Sequence, residues 1–167
     1  MNILCTICIR YGSSGVPLKN IRKLSGIPLM AHTIKQALVS GLFEHVVVST
    51  DSSKIAETAK SFGAESWFLR PAEMATDDAT KLPVIRHAFQ EAEKHYNMKF
   101  EALVDLDATS PLRNVEDITA AYQQFLKEDA DILISASPSR KNPYYNMVEI
   151  INGRIQKVKQ LDQRPLR

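Results

Sequence analysis

Cysteine is scarce in this chain of 167 residues: Cys5 and Cys8 are the only two. Their C-x-x-C spacing suggests a redox pair or half a zinc site. Residues three apart along a strand point to opposite faces, however, and no second Cys or His pair stands nearby to complete a metal shell. Long apolar runs are missing too. Nothing approaches the roughly 20 residues that cross a bilayer, and Met1-Asn2-Ile3 opens no basic leader followed by an apolar segment and a cleavage site. The expectation is a cytoplasmic protein. Charge of one sign is also lacking: Lys and Arg number 21 against 19 Asp and Glu, a net +2, which argues for neither a nucleic-acid nor a membrane surface. Two common phosphate motifs are absent as well, the P-loop string G-x-x-x-x-G-K-[ST] and the dinucleotide string G-x-G-x-x-G.

What is present is enough apolar material for one cored domain, with 44% hydrophobic and 24% charged residues,. Residues 3–9, ILCTICI, are short, β-branched and uncharged, as a parallel strand covered on both faces should be,. The chain leaves that strand through Arg10, Tyr11, Gly12, Ser13, Ser14, Gly15, Val16, Pro17, Leu18, Lys19 and Asn20. A loop at the carboxyl end of a parallel strand is where open α/β sheets bind ligands. Gly12 and Gly15 can take φ > 0 and let the backbone approach a ligand closely, so that successive N–H groups could converge on phosphate oxygens as an anion-binding nest, with the cations Arg10 and Lys19 at either end.

Further along, apolar spacing and caps predict helices over 29–39, 52–62, 79–96 and 115–126, alternating with strands at 46–50, 65–69, 100–107 and 132–137. Asp51 is expected to cap the second helix, His32 to be structural, and His87 and His95 to be solvated. Pro71 bars a continuing central strand, leaving Arg70 at a strand end on the same edge as the first loop. Asp105 and Asp107 point to one side of their strand. Asp105 is expected to pair with a nearby cation. Asp107, at the carboxyl end, is either a neighbour of Mg²⁺ or an acceptor of N–H groups from the following turn. Residues 147–151 and 154–158 flank Asn152-Gly153, the strongest short hairpin signal. The expected fold is thus α/β, a three-layer α/β/α arrangement with a mostly parallel sheet over residues 1–138, and a hairpin extension over 139–167.

Four separated stretches resemble the acylneuraminate cytidylyltransferase family. Arg10 to Asn20 with Gly26-Ile27-Pro28-Leu29 resembles its opening signature, P-A-R-G-G-S-K-G-[IL]-P-x-K-N; Val48-Ser49-Thr50-Asp51 matches its VSTD; Arg70-Pro71-Ala72-Glu73-Met74-Ala75 resembles its R-P-A-E-[LM]-A; and Leu106 to Arg113 resembles L-Q-P-T-S-P-L-R. Three departures stand out. Ser14 replaces a lysine, Asp77 to Lys81 replaces D-T-A-S-S, and Asp107 replaces a glutamine that helps hold the sugar acid.

The resemblance implies a nucleotide-diphospho-sugar transferase-like, Rossmann-like fold and transfer of CMP from CTP to a nonulosonic sugar acid, with Mg²⁺ and a homodimer formed through the hairpin region. It implies catalytic roles for Arg10 and Lys19. It also implies nucleotide contacts from Arg10, Gly12, Ser13, Ser14, Gly15, Lys19, Asn20, Arg70 and Ala75, sugar contacts from Asp107, Thr109 and Ser110, and metal ligation by Asp107. Members of the family continue through a further strand and helix carrying an aspartate pair for Mg²⁺, so a chain ending at Arg167 is expected to be a truncated or naturally short form. Two other readings stay open: a nucleotide-binding module without turnover, and a nucleotidyltransferase for another sugar acid.

Overall fold

The computed structural model describes residues 1–12, 15–138, 140–144 and 147–159. Strand β1, Ile3–Cys8, lies at the centre of the first unit, Met1–Ala130, because its apolar side chains are covered on both faces. It pairs in parallel with β4, His45–Ser49, on one side (Cys5 opposite Val46) and with β5, Ala102–Asp105, on the other (Cys5 opposite Val104). A small hairpin, β2 (Lys23–Leu24) and β3 (Ile27–Pro28), intervenes after the first loop.

The period-two alternation of β1 sorts the core into two layers. Cys5, Ile7 and Ile9 pack with Met30, Ile34 and Ala37 of helix α1 (Leu29–Ser40), Ile55 and Ala59 of α2 (Ser53–Ser61), and Ile118 of α4 (Val115–Lys127). Leu4 and Val47 face the opposite way, onto Ala92 of α3 (Lys81–Tyr96) and Phe100. Helices on both faces of a parallel sheet are the three layers expected. The helix spans match the apolar spacing to within two residues at every end, and Gly41, at φ 60°, stops α1 as a left-handed cap,.

Two expected strands did not form. At 65–69 only Glu65 bridges β4, exchanging backbone bonds with Val46 and Val48. The next rung is taken by a side chain: Ser66 Oγ donates to Val48 O at 2.9 Å, so the backbone peels away towards Arg70-Pro71. Residues 132–137 form no ladder, and Ile132 and Ile134 are about four-fifths exposed. β-propensity describes the fit to a neighbouring strand and creates none without one. That segment belongs to a second unit, Asp131–Arg167, whose described regular structure is the hairpin β6 (Val148–Ile151) and β7 (Arg154–Lys157). Asn152 (φ 51°) and Gly153 (φ 74°) supply the two left-handed residues its turn requires,.

From the Glu65 bridge inward the sheet runs Glu65, β4, β1, β5. Successive crossovers therefore leave β1 in opposite directions, and a crevice opens at the carboxyl ends of β1 and β5, the topological switch point. No described helix is long and apolar enough to cross a membrane.

Candidate functional site

A cleft of about 260 Å³ occupies that crevice, lined by Cys8 and Arg10 from the end of β1, Asp107 after β5, Lys81 and Val84 from α3, and Arg70, Met74, Thr76, Asp77 and Ala79 from the connecting loop. Arg10 lies in the first residues after β1, and its guanidinium pairs with the Asp77 carboxylate across the opening. The loop behind it is braced from two sides. Asp51 accepts the Tyr11 backbone N–H at 2.7 Å, and the buried Asn20 amide donates to Arg10 O at 3.1 Å. Asp51 is thus spent on the loop, and Ser52 caps α2 in its place, accepting from Ile55 N–H at 3.4 Å. The expected cap is corrected by one residue because Asp51 has a partner across the sheet.

Arg70 is only 7% exposed. Its guanidinium donates to the carbonyls of Ile9 (2.5 Å), Ser49 (2.9 Å) and Met74 (3.2 Å), tying the ends of β1 and β4 to the loop that closes the cleft. Nε has no hydrogen-bond partner among the described residues. Burial pushes its pKa below the ordinary guanidinium value, opposed by its neighbours Cys8 and Asp51, yet a guanidinium stays charged in a protein. Arg70 therefore both lines the cleft and frames it.

The third cation is Lys81, which sequence reasoning treated only as a departure from a motif. Its ammonium sits between Asp105 Oδ2 at 2.6 Å and Asp107 Oδ1 at 2.7 Å, distances typical of charge-assisted bonds. Thr6 Oγ1 donates to the other Asp105 oxygen at 3.0 Å. Burial alone would lower the Lys81 pKa, but the hydrogen bonds and charges of the two aspartates outweigh it and the net shift is upward. The expected partner of Asp105 is thus identified. The signal was a carboxylate in a strand that needed a cation, but nothing local said which one. Beside them burial, with Asp105 second, pushes the Cys8 thiol up to about 12, so it lines the cleft as a neutral group. Cys5 lies on the opposite face in the apolar core.

The structure brings Arg10, Arg70 and Asp107 together in one cleft, with Asp77, Lys81 and Cys8 as additions. Lys19, Asn20, Ala75, Thr109 and Ser110 are not among its lining residues. Ala75 follows Met74 directly, and Thr109 and Ser110 lie exposed in the turn after β5. Gly12 and Gly15 are exposed, and Gly12 does not take a left-handed φ. Among the described residues of this stretch Leu18 is left-handed, at φ 53°, where the chain enters the short 3₁₀ turn Lys19–Ile21. Ser13 and Ser14 lie outside the described residues. One histidine reading changes: His87 is half-buried and packs edge-on to Phe68. His95 is exposed as expected, with its ring stacked on Trp67 at a centroid separation of 4.2 Å. His32 is structural, with Nε2 2.9 Å from Leu24 O.

Mg²⁺ is the ion the resemblance implies, with Asp107 as its ligand. The described side chains do not make that site. Both carboxylates at the end of β5 already share the Lys81 ammonium, and among the described residues no group of three or more His, Cys, Asp or Glu side chains is arranged to hold a metal ion.

Comparison with known proteins adds an independent line. A family model described as Cytidylyltransferase matches residues 4–164. The chain is 50% identical over 158 residues to CMP-N,N'-diacetyllegionaminic acid synthase of Campylobacter jejuni, covering 95% of this chain and 67% of that protein. It is 46% identical over 157 residues to post-translational flagellin modification protein B of Campylobacter coli, covering 94% and 67%. A solved CMP:2-keto-3-deoxy-manno-octonic acid synthetase complexed with CTP aligns with a TM-score of 0.62 at 20% identity, over 78% of this chain and 49% of that one. The chain spans about two thirds of the length of the two sequence relatives and about half of that structure.

Proposed function

This chain belongs to the cytidylyltransferase family, and from that premise we propose that it transfers CMP from CTP to a nonulosonic sugar acid. The observation that carries the reading is the convergence of three cations, Arg10, Arg70 and Lys81, on one cleft at the carboxyl ends of β1 and β5. Two of the three are held there by acids, Arg10 by Asp77 and Lys81 by Asp105 and Asp107, in the crevice where an α/β sheet receives its ligand. The name of the 50%-identical relative supports a di-N-acetylated acceptor.

In the proposed reaction the anomeric hydroxyl oxygen of the sugar acid bonds to the α-phosphorus of CTP. The bond from that phosphorus to the bridging oxygen breaks, pyrophosphate leaves with the electron pair, and the hydroxyl proton is released. Such chemistry needs alignment and charge neutralisation more than a covalent intermediate. Arg10, with the amides of Gly12, Ser13, Ser14 and Gly15, holds phosphate oxygens. Lys19 neutralises charge building on the leaving pyrophosphate; Asn20, Arg70 and Ala75 serve the nucleoside, and Asp107, Thr109 and Ser110 the sugar. Mg²⁺ enters as the counter-ion of the triphosphate and is brought by the nucleotide. A cytoplasmic location, where CTP is made and used, goes with the reading.

The test is pyrophosphate release from CTP, UTP, GTP and ATP in the presence of a nonulosonic acid. Release that requires both CTP and the sugar acid is expected; equal release from all four nucleotides refutes the assignment. Binding without turnover is the second reading, favoured by the capture of both cleft carboxylates by Lys81. A calorimetric CTP signal with no pyrophosphate release would select it.

A homodimer through the hairpin is part of the proposal. Val148, Ile150 and Ile155 share one hairpin face by register and are 61%, 74% and 73% exposed, an apolar strip that a second copy would cover. Light scattering should give a dimer that Ile150→Lys converts to monomer. A monomeric wild type contradicts this part.

A further inference from the structure

We propose that Lys81 is the resident cation of this site, its ammonium standing between Asp105 and Asp107 where a divalent ion would otherwise sit, so that these carboxylates hold no metal in the nucleotide-free protein.

Three observations carry the inference. The first is geometric: Lys81 Nζ lies 2.6 Å from Asp105 Oδ2 and 2.7 Å from Asp107 Oδ1, so one cation bridges the two acids. One or two carboxylates are the usual protein share of a Mg²⁺ site whose other ligands are waters and phosphates. Here that share is already bound. The second concerns the helix. Lys81 is the first residue of α3, and no acidic residue occupies that helix's first turn. A cation at this end opposes the helix macrodipole, so helix formation gives no reason for a lysine here, whereas the two carboxylates do. The third is the rest of the pair's surroundings. Asp105 also accepts from Thr6 Oγ1, the neighbouring Cys8 is a neutral thiol, Arg10 is engaged by Asp77, and Arg70 by backbone carbonyls. Lys81 is thus the one cation that touches both acids among the described residues. Without it two negative charges would face an incoming triphosphate.

The inference also assigns the lysine a use. An ammonium has three donors, and the carboxylates take two. The third remains for an anionic group of the substrate on the cleft side, which Lys81 lines. The double negative charge of the aspartates is thereby reduced at the point where an anion must approach.

The test is a Mn²⁺ titration of the nucleotide-free protein, followed by the electron paramagnetic resonance signal of free Mn²⁺. It does not depend on turnover or on which nucleotide the protein uses. Wild type is expected to bind no Mn²⁺ through this pair. Lys81→Ser is expected to gain one site, binding Mn²⁺ at least about tenfold more tightly than wild type, since removing a like charge from between two carboxylates is worth at least that much. Adding Asp107→Asn to Lys81→Ser should abolish the gain. Lys81→Met, which keeps the stem of the side chain, should repeat it, and circular dichroism establishes that each variant is folded. Wild-type Mn²⁺ binding that is lost in Asp107→Asn overturns the proposal without any lysine variant having to fold. Folded Lys81→Ser and Lys81→Met that both fail to gain a site overturn it equally.

Discussion

Arg10→Ala is expected to lower CTP-dependent pyrophosphate release by about two to three orders of magnitude, the usual loss when one preorganised donor to developing charge is removed. Its guanidinium lies just beyond β1, is 30% exposed and lines the cleft. Its present partner, Asp77, lies outside any regular element, between the short turn Ala72–Met74 and α3. Triphosphate oxygens offer the same kind of contact with more charge, so the guanidinium can exchange Asp77 for phosphate without leaving the cleft. The loss should fall on turnover more than on stability, because the ion pair it breaks is partly solvated and such pairs contribute about 1 kcal/mol or less. Steady-state release and a denaturant titration on the same variant separate these effects. Unchanged release would remove Arg10 from the reaction.

Arg70→Met is expected to do the reverse, destabilising the protein by about 3 kcal/mol or more, since each buried carbonyl stripped of its donor costs about 1–3 kcal/mol. Three carbonyls depend on this guanidinium: those of Ile9, Ser49 and Met74. Methionine fills similar volume but donates nothing. Lysine retains charge, yet it lacks the fork that reaches two strand ends and a loop at once. The urea midpoint should fall with little change in the slope of the transition. A loss well under about 1 kcal/mol would mean that water replaces the guanidinium at all three carbonyls, and Arg70 would then be a ligand contact only.

The sequence reading reached furthest where one local signal was sufficient. β1 was legible because an uncharged β-branched run can be buried on both faces, α1 because apolar spacing runs up to Gly41, and the hairpin because Asn152 and Gly153 both accept left-handed backbone. It failed where two distant segments decide together. Residues 65–69 looked like a strand until Ser66 took the rung meant for the backbone, and 132–137 looked like one although no neighbour pairs with it among the described residues. Asp51 looked like a cap because its claim on Tyr11 N–H lies 40 residues back along the chain.

Within the site, Arg10, Arg70 and Asp107 were legible as residues at strand ends on one edge of the sheet. Lys81 was not, because its significance depends on Asp105 and Asp107 arriving from the end of β5, far along the chain from the start of α3. Composition gave no hint of it, since a near balance of charge says nothing about which acids and cations meet.

The measurement that bears most directly on the account is the structure of the protein crystallised with CTP. The triphosphate should lie in the cleft at the ends of β1 and β5, with the Arg10 guanidinium turned from Asp77 to its phosphate oxygens and the cleft side of Lys81 facing the anion. A nucleotide bound elsewhere, or an empty cleft with Arg10 still on Asp77, would contradict it.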